Sequence, residues 1–430
     1  MLSAQELLAV PHKLCSGDIP DMVRGFWNDT RTITAGDVFL AIRGQRDGHE
    51  FLPDAKKMGA ACAVVEEIDP RVDLPQIQVE DVLGFAREVA KLHRKNYKII
   101  SVTGSYGKTS TKDMLHLLCG ESAYATKENL NNLLGITISL SQLGAQPIGI
   151  IEAGIDHPGE MDPIIDLLSP DISILTGISP VHLANFLSFD QLIAEKLKII
   201  HDGLRRGCPC IISENYRHYF SMSSLITVGK ALISRGTRFE IIRDKKVRLS
   251  GEFFQDEIFS LPDMSDGQVE NFAKSATVAR LLGIDSNTIQ ERILTWRPSV
   301  LRGEWKTFAG HRVYLDAYNA NPDAMLDALH YFDRTVTQPR LYVLGDMREL
   351  GTFSEREHRR VAEYFSNHLI DAIFTIGDAF AFFEKLFPKA KHFRSLPDLK
   401  EGFFSFLKSF NGSIFIKGSH AHRLWELIGN

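Results

Sequence analysis

The chain has little of what would set it apart from ordinary globular proteins. Five cysteines among 430 residues are too few for a disulfide framework. Two of them form Cys208-Pro209-Cys210, but no second pair and no nearby histidine set completes a zinc site. They read as thiols in a reducing cytoplasm. No apolar run approaches the ~20 residues of a membrane span. The opening stretch MLSAQELLAVPHKL lacks the apolar core and small-residue cleavage site of a secretory signal. A basic excess is missing as well: 49 Lys and Arg against 54 Asp and Glu give a net charge of −5. That leaves no electrostatic footprint for nucleic acid. Internal repeats and low-complexity linkers are absent. What is there, 44% hydrophobic and 24% charged residues, is the composition of a soluble globular chain. At ~150 residues per domain the length predicts two or three domains.

Short apolar runs alternate with helical patterns through most of the chain, which predicts α/β layering with parallel sheets. Tyr97 to Val102 reads as a buried strand and Lys108 to about Leu118 as a helix. Ile148 to Ile151, Ile172 to Leu175 and Cys210 to Ile212 are further strands. Before the last of these, Ser188 and Gln191 form an S-x-x-Q capping box, and Ile193, Leu197, Ile200 and Leu204 recur at helical spacing. A second series begins near residue 299, with strands at 313–316, 341–346, 372–378 and 413–418. A smaller unit at the start carries strands at 38–42 and 62–66. The expected domains are 1–97, 98–298 and 299–430. In open α/β sheets ligands bind beyond the carboxyl ends of the strands, so those ends are where chemistry is expected.

The stretch SVTGSYGKTSTKDML (101–115) sits at such an end. A strand, then T-G-S-Y-G-K-T, then a helix is the context of a phosphate-binding loop. Gly104 and Gly107 allow a tight turn that aims backbone N–H groups at phosphate oxygens, and the helix adds its positive end. Lys108 would reach the outer phosphates and Thr109 would bind Mg²⁺. A strict match needs a glycine where the chain has Val102, which removes one close backbone approach but no charge or metal ligand. Glu152 follows the strand Ile148 to Ile151, where a second metal-binding acid would lie. His182 follows the strand 172–175 and stays open between a structural and a functional role. From the residues alone Lys196 reads as a solvated helical lysine at the edge of an apolar face. The histidines at 93, 116, 311, 330 and 358 read as surface or core residues. The run EREHRR (355–360) reads as a solvated helix face.

The shortened loop resembles that of the Mur ligases, T-G-[ST]-x-G-K-[ST]. Other segments resemble the branch of that family that adds D-alanyl-D-alanine to UDP-N-acetylmuramoyl-tripeptide. NDTRTITAGDVFLAIRGQRDGHEFLPDAKKMGA (28–60) looks like its nucleotide-sugar motif. NLNNLLGI (129–136), EAGIDHPGEM (152–161), DAYNANPDAM (316–325), VLGDMRELG (343–351) and KGSHAHRLWE (417–426) follow in family order. The resemblance implies an α/β fold of three domains: a small N-terminal α/β domain that binds the UDP sugar, a central phosphate-loop ATPase with a parallel-rich sheet, and a C-terminal Rossmann-like domain. It implies ATP and Mg²⁺, a cytoplasmic monomer, and an acyl-phosphate route to the new amide.

It also implies roles. Gly104, Ser105, Tyr106, Gly107, Lys108, Thr109 and Ser110 form the nucleotide loop. Glu152 and His182 fall on magnesium-binding positions with Thr109. Lys196 falls on the lysine that the family carries as a carbamate. Lys108, Lys196, Glu152 and His182 make the expected catalytic set. Asn271 falls on an adenine contact, and Arg302 and Asp316 on groups that hold the phosphates and ribose. Thr30, Arg31, Asp47, Gly48 and His49 fall on uridine-side positions. Asn129, Asn131, Asn132 and Asn319 fall on substrate-binding positions. The chain departs from the pattern at Glu128, Ala153, Gly177, Ala184, Gly267-Gln268, the segment ISENY (212–216) and His420. These leave open a relative joining a different peptide, or a nucleotide-binding regulator without ligase activity.

Overall fold

The computed structural model describes all residues except 128, 182, 222, 223, 232–234, 243, 244, 338, 369 and 430. Three main sheets succeed one another along the chain. The first has five strands between Leu14 and Gln78, four of them parallel neighbours and Leu14–Ser16 antiparallel at one edge. Its apolar face packs on the helix Val82–Arg94, whose Asp81 caps the first turn. That helix leads straight into the second sheet.

The second sheet has nine strands. The strand Lys98–Thr103 lies inside it, paired in parallel with Ile148–Ala153 on one side and Ile172–Leu175 on the other. Near-continuous apolar runs form these strands because both faces are covered. Helices Lys108–Cys119 and Asp266–Leu281 bury one face. Helices Leu133–Ser141, Met161–Leu168 and Phe189–Arg205 bury the other. The third sheet has six strands, of which five run parallel, with helices Pro322–Thr335 and Ser354–Ser366 on one side and Leu396–Leu407 on the other. Among the described residues no helix is long and apolar enough to cross a membrane.

Three local expectations need correction. The parallel series of the second sheet continues into an antiparallel extension, Gly236–Ile242, Lys246–Gly251 and Glu257–Ser260. Its strands alternate polar and apolar residues because one face meets solvent while Phe239, Val247, Leu249 and Phe259 enter the core. At the helix Phe189–Arg205, Ser188 Oγ accepts from Gln191 N at 3.1 Å. The Gln191 side chain, however, accepts from Leu187 N at 2.8 Å rather than from Ser188 N, so the box does not close. In EREHRR, Glu357 and His358 are buried, and Arg360 pairs with Asp323 at 2.9 Å. Only part of that run faces solvent, because the helix packs against Pro322–Thr335.

Candidate active site

Val102 is a core strand residue, fully buried between Glu152 and Ile174 of the neighbouring strands. The strand runs one residue further, to Thr103, and the turn begins at Gly104. The glycine missing from the strict motif therefore concerns a strand position, not the turn. Gly104 has φ +147°, and a Cβ there would collide with Thr176 Oγ1 and lie 2.8 Å from Gly177 O. Gly107 has φ +76° and lies against Asn271, whose amide nitrogen would be 2.9 Å from a Cβ. Both positions demand glycine. Between them, Ser105 N donates to Gly177 O at 2.6 Å and Ser105 Oγ to Ser179 O at 2.9 Å. Thr176 Oγ1 donates to Thr103 O at 3.0 Å and to Tyr106 O. Lys274, buried and paired with Glu270, donates to Thr176 O at 2.6 Å. Thr176 and Lys274 escaped the sequence reading; a lone threonine after a strand and a lysine inside a helix carry no motif.

Thr109 Oγ1 donates to Glu152 Oε2 at 2.9 Å. Glu152 is 3% exposed and its other oxygen accepts from Asn131 Nδ2 at 3.0 Å. Asn131 O in turn accepts from Gly154 N at 2.8 Å, so the segment after Asn129 is laced to the strand end. Asn132 caps the helix Leu133–Ser141 through Gly135 N at 2.8 Å. The Thr109 and Glu152 oxygens are hard donors beside a phosphate-type loop, which fits a magnesium ion that takes its other ligands from water and phosphate. Among the described residues no group of three His, Cys, Asp and Glu side chains surrounds that spot. His182 and Glu128 lie outside the described residues.

Two lysines converge on the turn. Lys108 Nζ donates to Gly104 O at 2.9 Å, and Lys196 Nζ to the same oxygen at 3.4 Å. Lys196 is 1% exposed, which overturns its reading as a solvated helical residue. The helix Phe189–Arg205 turns it inward because Ile193, Leu197 and Ile200 beside it cover the second sheet. Burial, and then the charge of Lys108, push its ammonium down to about 7. Burial also lowers Lys108, with Glu152 opposing the shift and Arg302 adding to it. Arg302, from the segment before the third sheet, is thus within electrostatic reach of the loop. Its guanidinium stacks on Tyr318 at 3.8 Å.

Asp316 ends one strand of the third sheet and faces Lys417, which ends the next, across the register. The two form an ion pair at 2.5 Å, and Lys417 also donates to Asn319 O at 3.2 Å. Asp316 and Asn319 therefore share a buried cation that the sequence reading did not name. A charged residue closing each of two adjacent strands was the available signal. Segments around the third sheet meet those around the second through Leu183 N to Glu349 O at 2.8 Å and Gly267 N to Asp327 Oδ1 at 3.0 Å. Gln268 forms a true capping box with Ser265, so the departure Gly267-Gln268 serves a helix start and a close interdomain approach.

Five further expected residues lie on connections between the strands of the first sheet. Arg31 is exposed and pairs with Asp29, and Thr30 lies beside it on the same turn. His49 contacts Asp47 at 2.6 Å and its other ring nitrogen accepts from Glu66 N at 3.0 Å. A Cβ at Gly48 would lie 2.6 Å from Ile42 N. These five form no hydrogen bond with the phosphate loop among the described residues. The structure gathers the loop, Glu152, Asn131 and Lys196, brings Arg302 within reach, and leaves the N-terminal group apart. Ser110 lies in the first turn of the helix Lys108–Cys119.

Two family models match, the Mur ligase middle domain over residues 102–275 and the Mur ligase, glutamate ligase domain over residues 301–412. The UDP-N-acetylmuramoyl-tripeptide--D-alanyl-D-alanine ligase of Rickettsia prowazekii (strain Madrid E) is 25% identical over 421 residues, 93% of each chain. MurF from Acinetobacter baumannii superposes with a TM-score of 0.85 at 23% identity, covering 99% of this chain and 97% of that one. MurF from Thermotoga maritima, solved in complex with ADP, gives 0.78 at 22% identity, covering 94% and 96%. At these identities the two structures speak for the fold.

Proposed function

The chain belongs to the Mur ligase family, whose two domain models it matches in order, and from that premise we propose that it adds D-alanyl-D-alanine to UDP-N-acetylmuramoyl-tripeptide. The reaction consumes ATP with Mg²⁺ and serves peptidoglycan precursor synthesis in the cytoplasm. The family resemblance implies that it acts as a monomer. The tripeptide carboxylate attacks the γ-phosphorus, ADP leaves, and an acyl phosphate results. The amine of D-alanyl-D-alanine then attacks the acyl carbon, gives up a proton, and phosphate leaves.

The observation that carries this reading is the meeting of half-buried Lys108 and buried Lys196 at Gly104 O, beside the Thr109–Glu152 pair. The first step brings a carboxylate toward a polyanion, so positive charge must already stand where the phosphoryl group moves. Lys108 holds it at the loop, and Arg302 adds it from the C-terminal side. Thr109 and Glu152 would hold Mg²⁺, which when bound neutralises the outer phosphates. Lys196 as an ammonium would oppose such an ion. Its lowered affinity for a proton frees the amine to add to the carbon of CO₂ with loss of one proton, giving a carbamate whose oxygens suit a hard cation. His182 would complete the metal set. Asn271 serves the base, Asp316 the ribose side, Asn129, Asn131, Asn132 and Asn319 the substrate, and Thr30, Arg31, Asp47, Gly48 and His49 the uridine.

ADP release with UDP-N-acetylmuramoyl-tripeptide, with and without D-alanyl-D-alanine, tests the proposal. Turnover that requires both substrates supports it. Turnover with other acceptors only, or ATP hydrolysis indifferent to either substrate, overturns it.

A further inference from the structure

Two departures from the family pattern, Gly177 and the segment ISENY, are far apart in sequence and meet in space. Tyr106, the variable residue of the phosphate loop, forms a bridge with Gly177. A Cβ at Gly177 would collide with the Tyr106 ring, lying 2.7 Å from both Cε1 and the hydroxyl. Tyr216, from ISENY, is fixed beside this pair by Ile178, whose N–H donates to its hydroxyl at 2.7 Å and whose carbonyl accepts from it at 3.2 Å. The room left by the missing side chain at 177 is thus filled by an aromatic ring, and Tyr216 is bound to the residue next to that position. These positions make one matched set, not independent losses.

The set has a direction. Next to Tyr106, Gly107 touches the Asn271 amide, which makes no hydrogen bond to the described residues. Both tyrosine hydroxyls feel the charges of Glu270, on helix Asp266–Leu281, and Asp323, on helix Pro322–Thr335. In the ATP-dependent reading the loop and the start of helix Lys108–Cys119 hold the phosphates. Tyr106 then adjoins Asn271, the position that the family resemblance reads as an adenine contact. A ring offers stacking to any base, and an amide offers donors and an acceptor to a base edge.

We infer that Tyr106, seated on Gly177, is a nucleotide-positioning residue that supplies the base of ATP with a stacking face. The inference rests on the ATP-dependent reading above. Affinities of the full-length protein for ATP and for inorganic tripolyphosphate, measured by calorimetry, separate base contact from loop geometry. In Tyr106→Ser, ATP affinity should fall about tenfold while tripolyphosphate affinity stays within about twofold, the pattern of a lost stacking side chain. Tyr106→Phe keeps the ring and should retain most of the ATP preference. Gly177→Asn should weaken ATP binding in the native background and add no further loss in Tyr106→Ser, where no ring remains to be displaced, which also guards against a variant that merely misfolds. Equal losses for ATP and tripolyphosphate, or none, overturn the assignment. A native protein that binds neither probe overturns the ligase reading instead.

Discussion

Replacing Lys196 with methionine is expected to make the protein more stable and to abolish ligation. The side chain is 1% exposed, and its ammonium is pushed down to about 7 from 10.5, by burial first and by Lys108 second. A base whose folded-state value lies below its unfolded value opposes folding. The opposition is complete below the folded value and fades as pH rises toward the unfolded one. With values of about 7 and 10.5, the ratio (1 + 10^3.5)/(1 + 1) at pH 7 corresponds to roughly 4 kcal/mol. At pH 9 the ratio (1 + 10^1.5)/(1 + 10^−2) corresponds to about 2 kcal/mol. Methionine keeps the apolar stem and gives up one long hydrogen bond, 3.4 Å to Gly104 O. Lys196→Met should therefore gain about 2–4 kcal/mol at pH 7, with about half of that left at pH 9. Urea unfolding in CO₂-free buffer at the two pH values measures it. Bicarbonate should stabilise the native protein and leave the variant unchanged, because only a lysine can take up CO₂. A small carboxylic acid should restore part of the lost ligation. A gain that is absent, or equal at both pH values, would refute the reasoning about the buried ammonium. Near-normal ligation by Lys196→Met would remove its role at the phosphates.

Glu152→Gln preserves the shape beside Thr109 and removes the charge; turnover should fall by roughly 100-fold or more, and ADP binding should lose its dependence on Mg²⁺. Magnesium-dependent ADP binding that survives would exclude Glu152 from the metal. Gly104→Ala places a methyl group against Thr176 Oγ1 at φ +147°, and thermal unfolding should report a loss of about 1–3 kcal/mol together with weakened nucleotide binding. In the C-terminal sheet, burial alone would raise the Asp346 carboxyl, but the His422 hydrogen bond and charge hold it below its usual range. A carboxyl depressed in this way adds stability above the unfolded value near 4, and loses it as pH falls through the lower folded value. Asp346→Asn should accordingly cost more stability at pH 7 than at pH 3, and a cost that is equal at both would contradict the pairing.

Most of the fold could be read from the sequence because buried parallel strands leave a local trace. Ile172–Leu175 carries three apolar residues in four, and all four are buried in the sheet. The antiparallel extension from Gly236 to Ser260 left a weaker trace, since its alternating strands resemble the polar connections around them. Short edge strands such as Ala123–Ala125 and Ala390–Phe393 fared no better, each being too brief to show a period.

The site divides along the same line. Lys108 and Thr109 are fixed by a contiguous motif, whereas the environment of Lys196 is not. Whether a lysine on an amphipathic helix faces water or a phosphate loop depends on which neighbours cover its flank, and that is settled 92 residues away at Gly104. Resemblance named Lys196; only packing explains why its proton is loosely held. Tyr106 makes the complementary case. Judged one position at a time, Gly177 and Tyr216 look like erosion of the family pattern. Placed together they are a ring, the space it needs and a hydroxyl bound to the residue beside that space, so the physical unit under constraint is the contact and not the residue. A departure at one end of such a contact therefore reports loss of function only when the other end has not moved with it.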